Sequence, residues 1–199
     1  MPRWSPDGSR IAFVSDDGTG MNVYWVPPTG GTRRRIAQTH LQYLDRFTSL
    51  GALGSQPWSP DGRRLVFSRL EPTNSVALWT ADTRNGADGR IEIIATNLET
   101  GEERLLLKAN ATELSVAPDG NAVAYNSADG HFSMNRYVLM LVRPTGANEL
   151  PHATGAPRQM TFGGGKWHVH GGAWSPDGRW IVYTRDFDRG NLSVIDNYR

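Results

Sequence analysis

Two histidines near the C-terminal end have the residue type and the spacing most suggestive of chemistry. His168 and His170 lie in the stretch from Lys166 to Gly172, which leads into Trp174. If this stretch is a strand, residues two apart share one face, and both imidazoles point the same way. A pair of imidazoles can bind a divalent metal. Two polar side chains that hydrogen-bond to neighbours or water are the plainer interpretation, because no spacing identifies a third ligand. The other histidines, His40, His131 and His152, fall in segments that the pattern predicts to be loops.

Other catalytic arrangements find little support in the sequence. The stretch from Asp186 to Asn191 alternates possible oxygen ligands for calcium, but it lacks the glycine and the terminal glutamate of an EF-hand loop. A turn between strands, like the one predicted from Asp16 to Gly20, explains it better. The chain has no Gly-x-Ser-x-Gly motif and no cysteine, which excludes a nucleophile elbow and any thiol chemistry. We therefore predict no catalytic residue, and a divalent metal at the histidine pair is the one cofactor we consider.

A repeated sequence motif predicts the turns and strands that position the histidine pair. Trp-Ser-Pro-Asp-Gly occurs at 4–8, 58–62 and 174–178, and a variant, Val-Ala-Pro-Asp-Gly, occurs at 116–120. The four copies are 54, 58 and 58 residues apart, which indicates a repeat architecture. Proline presets φ, aspartate tolerates the next position of a turn, and glycine accepts a positive φ. We assign a structural role to Trp4, Pro6, Asp7, Gly8, Trp58, Pro60, Asp61, Gly62, Pro118, Asp119, Gly120, Trp174, Pro176, Asp177 and Gly178.

Each copy of the motif is followed by short apolar runs that predict strands. Ile11–Val14 is an example, rich in β-branched and aromatic residues. No segment shows sustained helical periodicity. The predicted fold is all-β, a β-propeller of about four blades with four antiparallel strands each. The predicted blades span about 2–39, 54–108, 112–162 and 167–199, with the first and last incomplete, and with an added strand or hairpin between 71 and 89.

Trp-Ser-Pro-Asp-Gly followed by an apolar strand, as in WSPDGSRIAFVSDDG and WSPDGRWIVYTRD, resembles the WD40-like repeat of TolB-like β-propellers. The resemblance covers nearly the whole chain. It implies that the chain is part of a larger propeller of six to eight blades, and a closed ring of four blades is the alternative. It also implies a non-catalytic scaffold for protein–protein interaction in the periplasm or cell envelope. Similar repeats occur in oligogalacturonate lyases, which hold a metal by histidine near the propeller axis, and in accessory propellers of prolyl-oligopeptidase-type peptidases and amidohydrolases. Those enzymes are the alternatives.

Charge and hydropathy narrow the set of partners. The net charge is +1 with both signs mixed along the chain, which gives no electrostatic case for nucleic acid. No apolar run approaches the length needed to span a bilayer, so we expect no membrane insertion. No signal peptide precedes Trp4 in this sequence. Protein partners are expected, and the open edges of incomplete blades also predict self-association.

Overall fold

The computed structural model describes fifteen strands in residues 2–41, 53–70, 91–109, 111–128, 134–162, 168–187 and 191–193. The first four are β1 (Arg3–Trp4), β2 (Ile11–Asp16), β3 (Met21–Val26) and β4 (Arg34–Leu41). The next three are β5 (Arg64–Leu70), β6 (Ile91–Asn97) and β7 (Glu103–Lys108). Then follow β8 (Ala111–Val116), β9 (Ala122–Ala128), β10 (Met134–Val142), β11 (His152–Ala153) and β12 (Arg158–Gln159). The last are β13 (His168–Trp174), β14 (Ile181–Phe187) and β15 (Asn191–Ser193).

These strands form four antiparallel sheets, which we call blades 1 to 4. Their strand orders are β1-β2-β3-β4, β5-β6-β7, β8-β9-β10 and β13-β14-β15, and both β11 and β12 pair with β10 in blade 3. The all-β fold predicted from the sequence is confirmed. The predicted blade boundaries stay predictions, and the insertion expected between 71 and 89 lies outside the described residues. In the described ranges, no helix is long and apolar enough to cross a membrane.

The hydrophobic core lies between blades, because the central strands are buried on both faces. On β6, Ile94 joins a cluster with Ala12 and Val23 of blade 1, whereas its neighbour Ile93 packs with Leu139 of blade 3. Alternation of side chains along a strand sends successive residues to opposite faces. A short run of β-branched residues is therefore enough to bind two neighbouring sheets. The core between blades 3 and 4 is poorer, since three of its four buried residues are alanines: Ala117, Ala122 and Ala124.

The segment from Leu53 to Trp58 connects blade 2 with the other three. The Gly54 carbonyl accepts a hydrogen bond from Nε of Arg3 in blade 1 at 2.7 Å. The Gln56 backbone forms a parallel bridge with Ser115 of blade 3, and its side-chain oxygen accepts the Trp174 backbone N–H of blade 4 at 2.8 Å. Residues from all four blades therefore meet at this one segment.

A buried arginine joins blade 3 to blade 4. Arg136 on β10 is 1% exposed. Its Nη1 donates to Oδ1 of Asn126 at 2.9 Å and to the Gly171 carbonyl at 2.5 Å, and its Nη2 donates to the Ser115 hydroxyl at 2.8 Å. Burial lowers the pKa of Arg136 to about 10, while the nearby carboxylate of Glu113 opposes that change. The guanidinium therefore remains charged at neutral pH, and its surroundings must compensate that charge.

Glu113 and two glycines complete this arrangement. Glu113 has a φ of +53°, and its Oε2 accepts hydrogen bonds from the Gly171 backbone N–H at 2.7 Å and from the Asn126 side chain. The register of β13 against β14 shifts between His170 and Ala173, so Gly171 and Gly172 form a β-bulge. A bulge turns backbone groups out of the ladder. Here it presents the Gly171 carbonyl to Arg136 and the Gly171 N–H to Glu113.

Two substitutions at this bulge distinguish the cost of steric overlap from the cost of backbone strain. A Cβ on Gly172 would lie 2.2 Å from Cζ of Arg136, at a φ of +127°, whereas one on Gly171, at +63°, meets no atom within 4 Å. Gly172→Ala would push a buried charge away from its partners, and we expect it to lower the free energy of unfolding by about 3 kcal/mol or more. The matched control Gly171→Ala should cost about 1–2 kcal/mol from its positive φ alone. Urea denaturation of both variants measures the difference, and equal losses would contradict this role of Gly172.

Candidate functional site

The four motif turns share one backbone geometry. The glycine N–H of each turn donates to the carbonyl three residues before it at 2.8–2.9 Å, and every one of these glycines has a φ between +66° and +74°. Only glycine adopts that φ without cost. The four pairs of donor and acceptor are Gly8 and Ser5, Gly62 and Ser59, Gly120 and Ala117, and Gly178 and Ser175.

Side chains reinforce three of these turns. The hydroxyl of Ser5 donates to Asp7 at 2.6 Å and accepts the Arg10 backbone N–H at 2.9 Å. The same pair of bonds recurs in blades 2 and 4, from Ser59 and Ser175. Ala117 has no hydroxyl, so the turn of blade 3 keeps only the bond from the Asn121 N–H to its aspartate, at 3.1 Å. This turn therefore lacks two hydrogen bonds that the others have.

Three of the turn aspartates, Asp7, Asp61 and Asp177, have a lowered pKa and are held as anions. Hydrogen bonds from Ser5 and Ser9 lower the pKa of Asp7 to about 2. The pKa of Asp177 is also lowered, by the Ser175 hydroxyl and the Arg179 backbone. Burial raises the pKa of Asp61, but hydrogen bonds from Ser59 and from the Arg63 backbone outweigh it and leave the pKa below its ordinary value. Carboxylates committed to their own turns in this way are poor general acids at neutral pH.

Successive turns pack on one another. A Cβ on Gly62 would lie 3.6 Å from Oδ1 of Asp7 in the preceding turn, and one on Gly120 would lie 3.2 Å from Cδ of Pro60. The next contact follows the same pattern, since Gly178 lies beneath Pro118. The motif glycine permits the turn itself, and at Gly120 it also permits the close approach of Pro60.

The motif tryptophans lie in two different environments. The Trp58 indole N–H donates at 3.0 Å to the carbonyl of Arg3, the residue just before the preceding motif. The Trp174 N–H repeats this bond at 3.1 Å to Ser115, the residue just before the third motif. Trp58 is buried, as the packing of neighbouring blades requires. Trp4 differs, because 59% of its surface is exposed.

The four turns surround a cavity of about 480 Å³. This volume is within the range of binding pockets. Its walls carry indole and pyrrolidine rings and few charges. The ring-bearing residues of the lining are Trp4, Pro6, Pro57, Trp58, Pro60, Pro118, Trp174 and Pro176. We call this the turn cavity, and it is the candidate functional site.

The histidine pair lies on a neighbouring strand. His168 and His170 are on β13, where their backbones pair with Asp186 and Thr184. Their side chains lie outside the described set, so the metal hypothesis stays a prediction. In the described part of the chain, no three His, Cys, Asp or Glu side chains are grouped to hold a metal ion. The expectation that His40 and His152 lie in loops is wrong, since β4 and β11 contain them; His131 lies outside the described residues.

Similar proteins support the fold more strongly than they support a function. No family model matches the chain. A "Dihydro-heme d1 dehydrogenase" from Pseudomonas aeruginosa is 27% identical over 98% of this chain and 41% of its own length. The "Tol-Pal system protein TolB" from Alcanivorax borkumensis is 31% identical over 34% of this chain and 13% of its own length. The crystal structure of TolB from Acinetobacter baumannii matches 96% of this chain and 38% of that chain, with a TM-score of 0.63 and 24% identity.

These likenesses and the four sheets define the chain as a β-propeller segment. More particularly, the chain is TolB-like in fold, which confirms the resemblance predicted from the sequence. It spans less than half the length of the curated relatives that it matches.

The weak turn of blade 3 yields a stability prediction. Its backbone bonds, Ala117 N–H to Ala122 O at 2.9 Å and Gly120 N–H to Ala117 O at 2.8 Å, match those of the serine turns. Ala117→Ser should therefore restore the bonds to Asp119 and to the Ala122 N–H, and raise the free energy of unfolding by about 0.5–1.5 kcal/mol. The reverse change, Ser59→Ala, should lower it by a similar amount. Chemical denaturation tests both, and a destabilised Ala117→Ser variant would show that the hydroxyl is not accommodated.

Proposed function

We propose that the chain is a non-catalytic β-propeller scaffold for protein–protein interaction, in the cell envelope. The observation that carries this proposal is the turn cavity, whose wall carries the rings of Trp4, Trp58 and Trp174. Tryptophan is enriched among residues that dominate binding energy at protein interfaces. A concave surface of aromatic and proline rings can bind an apolar side chain of a partner without requiring charged groups on that partner. The envelope location is supported by the TolB-like fold and by the relative named for the Tol-Pal system.

The contrast among the tryptophans strengthens the proposal. Trp58 and Trp174 use their N–H groups to hold blades together. The Trp4 ring lines the turn cavity, where an apolar side chain of a partner can pack against it. Arg3 beside it is held by Gly54, which fixes the strand that presents the indole. The site is therefore preorganised, and this reduces the entropy lost on binding.

A photo-crosslinking experiment tests this role. Benzoylphenylalanine placed at position 4 in the source cells should capture a specific protein in the envelope fraction. The control position is Leu105 on β7, which is 45% exposed and does not line the turn cavity. With the captured partner purified, Trp4→Ala should weaken its binding about 30-fold, as loss of an interface hot spot does.

Three results would count against the proposal. Identical adducts from positions 4 and 105 would show that the cavity has no selective partner. An adduct found only in the cytosolic fraction would contradict the envelope location. Turnover of a substrate by the purified chain would overturn the non-catalytic assignment.

A second candidate is the propeller part of a larger enzyme. The observation in its favour is the relative named as a dehydrogenase, which is similar over 98% of this chain. Two enzyme hypotheses predicted from the sequence fall under this candidate. One is oligogalacturonate-lyase-like chemistry at His168 and His170. The other is an accessory role beside a peptidase or amidohydrolase domain. The intact mass of the native polypeptide separates the candidates. We expect a mass well above 22.0 kDa, together with an attached catalytic domain, if this candidate is correct; a propeller without such a domain would exclude the accessory role.

A further inference from the structure

A groove runs between blades 3 and 4 and shares one lining residue, Trp174, with the turn cavity. Its volume is about 500 Å³, which suits a small organic ligand. On the blade 3 side, Ala122 faces Met140 in the β9–β10 ladder, and Val138 faces Arg158 in the β10–β12 ladder. Residues paired across strands share one face of the sheet. The blade 3 side of the groove is therefore one face of the sheet, with Arg158 at its outer edge.

The groove exists because the side chains between these blades are small. Ala122 and Ala124 occupy positions that hold larger residues in blade 2, where Arg64 and Val66 stand in the corresponding strand. Trp174 and Ile181 of blade 4 pack on these two alanines, which are buried. Beside this contact, apolar side chains stay exposed along the groove: Met140 at 50%, Met160 at 41% and Trp180 at 45%.

The charges around the groove favour an anion. Arg158 on β12 and Arg179 beside the blade 4 turn are both exposed, and they stand on opposite walls. Within the described ranges, neither forms a salt bridge. The buried Arg136 also belongs to the lining, and its Nε has no hydrogen-bond partner there. One acidic residue, Asp119, lines the groove, and its carboxylate already accepts the Asn121 N–H.

We propose that this groove binds an amphipathic organic anion, which is a small molecule with an aromatic or branched aliphatic body and one acidic group. The thioether and aromatic walls accommodate the body, because methionine adapts to varied apolar shapes. Arg158 and Arg179 pair with the acidic group, since guanidinium forks bind carboxylates and sulfonates well. This proposal does not depend on the scaffold role, although Trp174 lines both the groove and the turn cavity.

The probe is 8-anilinonaphthalene-1-sulfonate, whose fluorescence rises in apolar surroundings. We expect saturable binding of one dye per chain. The uncharged analogue N-phenyl-1-naphthylamine should bind about tenfold more weakly, because it lacks the acidic group. The double variant Arg158→Gln, Arg179→Gln should weaken binding of the sulfonate by at least about tenfold and leave binding of the neutral dye unchanged. The control Arg33→Gln, Arg35→Gln removes the same charge from blade 1 and should have no effect.

A second pair of variants locates the dye without disturbing the core. Met140 and Val142 lie on the same face of β10 and are 50% and 42% exposed, but only Met140 lines the groove. Met140→Glu should abolish sulfonate binding, and Val142→Glu should leave it intact. Equal effects of these two variants, wild-type affinity in the Arg158/Arg179 variant, or equal affinity for the neutral dye would each overturn the proposal.

Discussion

The close approach of consecutive turns is the constraint on which the rest of the molecule depends. Each motif glycine bends the chain at a positive φ, and those of blades 2, 3 and 4 lie against the aspartate or proline of the turn before them. A side chain at any of these glycines would strain its own turn, and at Gly120 it would also crowd Pro60 of the preceding turn. The blades therefore keep a fixed offset from one another, and this offset brings the four turns around a single cavity.

One motif thus produces two environments for tryptophan. Where a preceding motif is present, the indole N–H reaches back to its strand, as Trp58 does to Arg3 and Trp174 to Ser115. Trp4 has the same local sequence, but its ring is open to solvent. The same sequence therefore supplies both a ring that holds two blades together and a ring that lines the turn cavity. Blade 3 shows the opposite departure, because Val116 and Ala117 replace both the indole and the hydroxyl, and the sheet beyond them is lined with alanine.

The sequence was enough to predict the repeat, the turns and the class of fold, because each of these depends on residues close together in the chain. The turn chemistry of Ser-Pro-Asp-Gly is local, and so is the alternation that buries Ile93 and Ile94 on opposite faces. The Arg136 network was not predictable, since Gly171 reaches Arg136 and its blade 3 partners only when blades 3 and 4 pack. Gly171 and Gly172 drew notice only as neighbours of the histidines, and nothing local marks them as a bulge beneath a buried guanidinium. His152 was misplaced because β11 is two residues long and depends on pairing with β10.

Because Arg136 is buried between blades 3 and 4, the interfaces between blades differ in how cooperatively they open. In repeat proteins, stability is a sum of contributions from each repeat and from each interface. Detaching blade 4 would remove the Gly171 carbonyl from Arg136 and the Gly171 N–H from Glu113, leaving two charges poorly compensated in a cleft. Blades 1 and 2 are joined by an apolar cluster and by hydrogen bonds to the backbone carbonyls of Arg3 and Gly54, and no salt bridge spans them in the described ranges. We therefore expect blades 3 and 4 to unfold together as one cooperative unit. Addition or deletion of a blade during evolution is easier between blades 1 and 2.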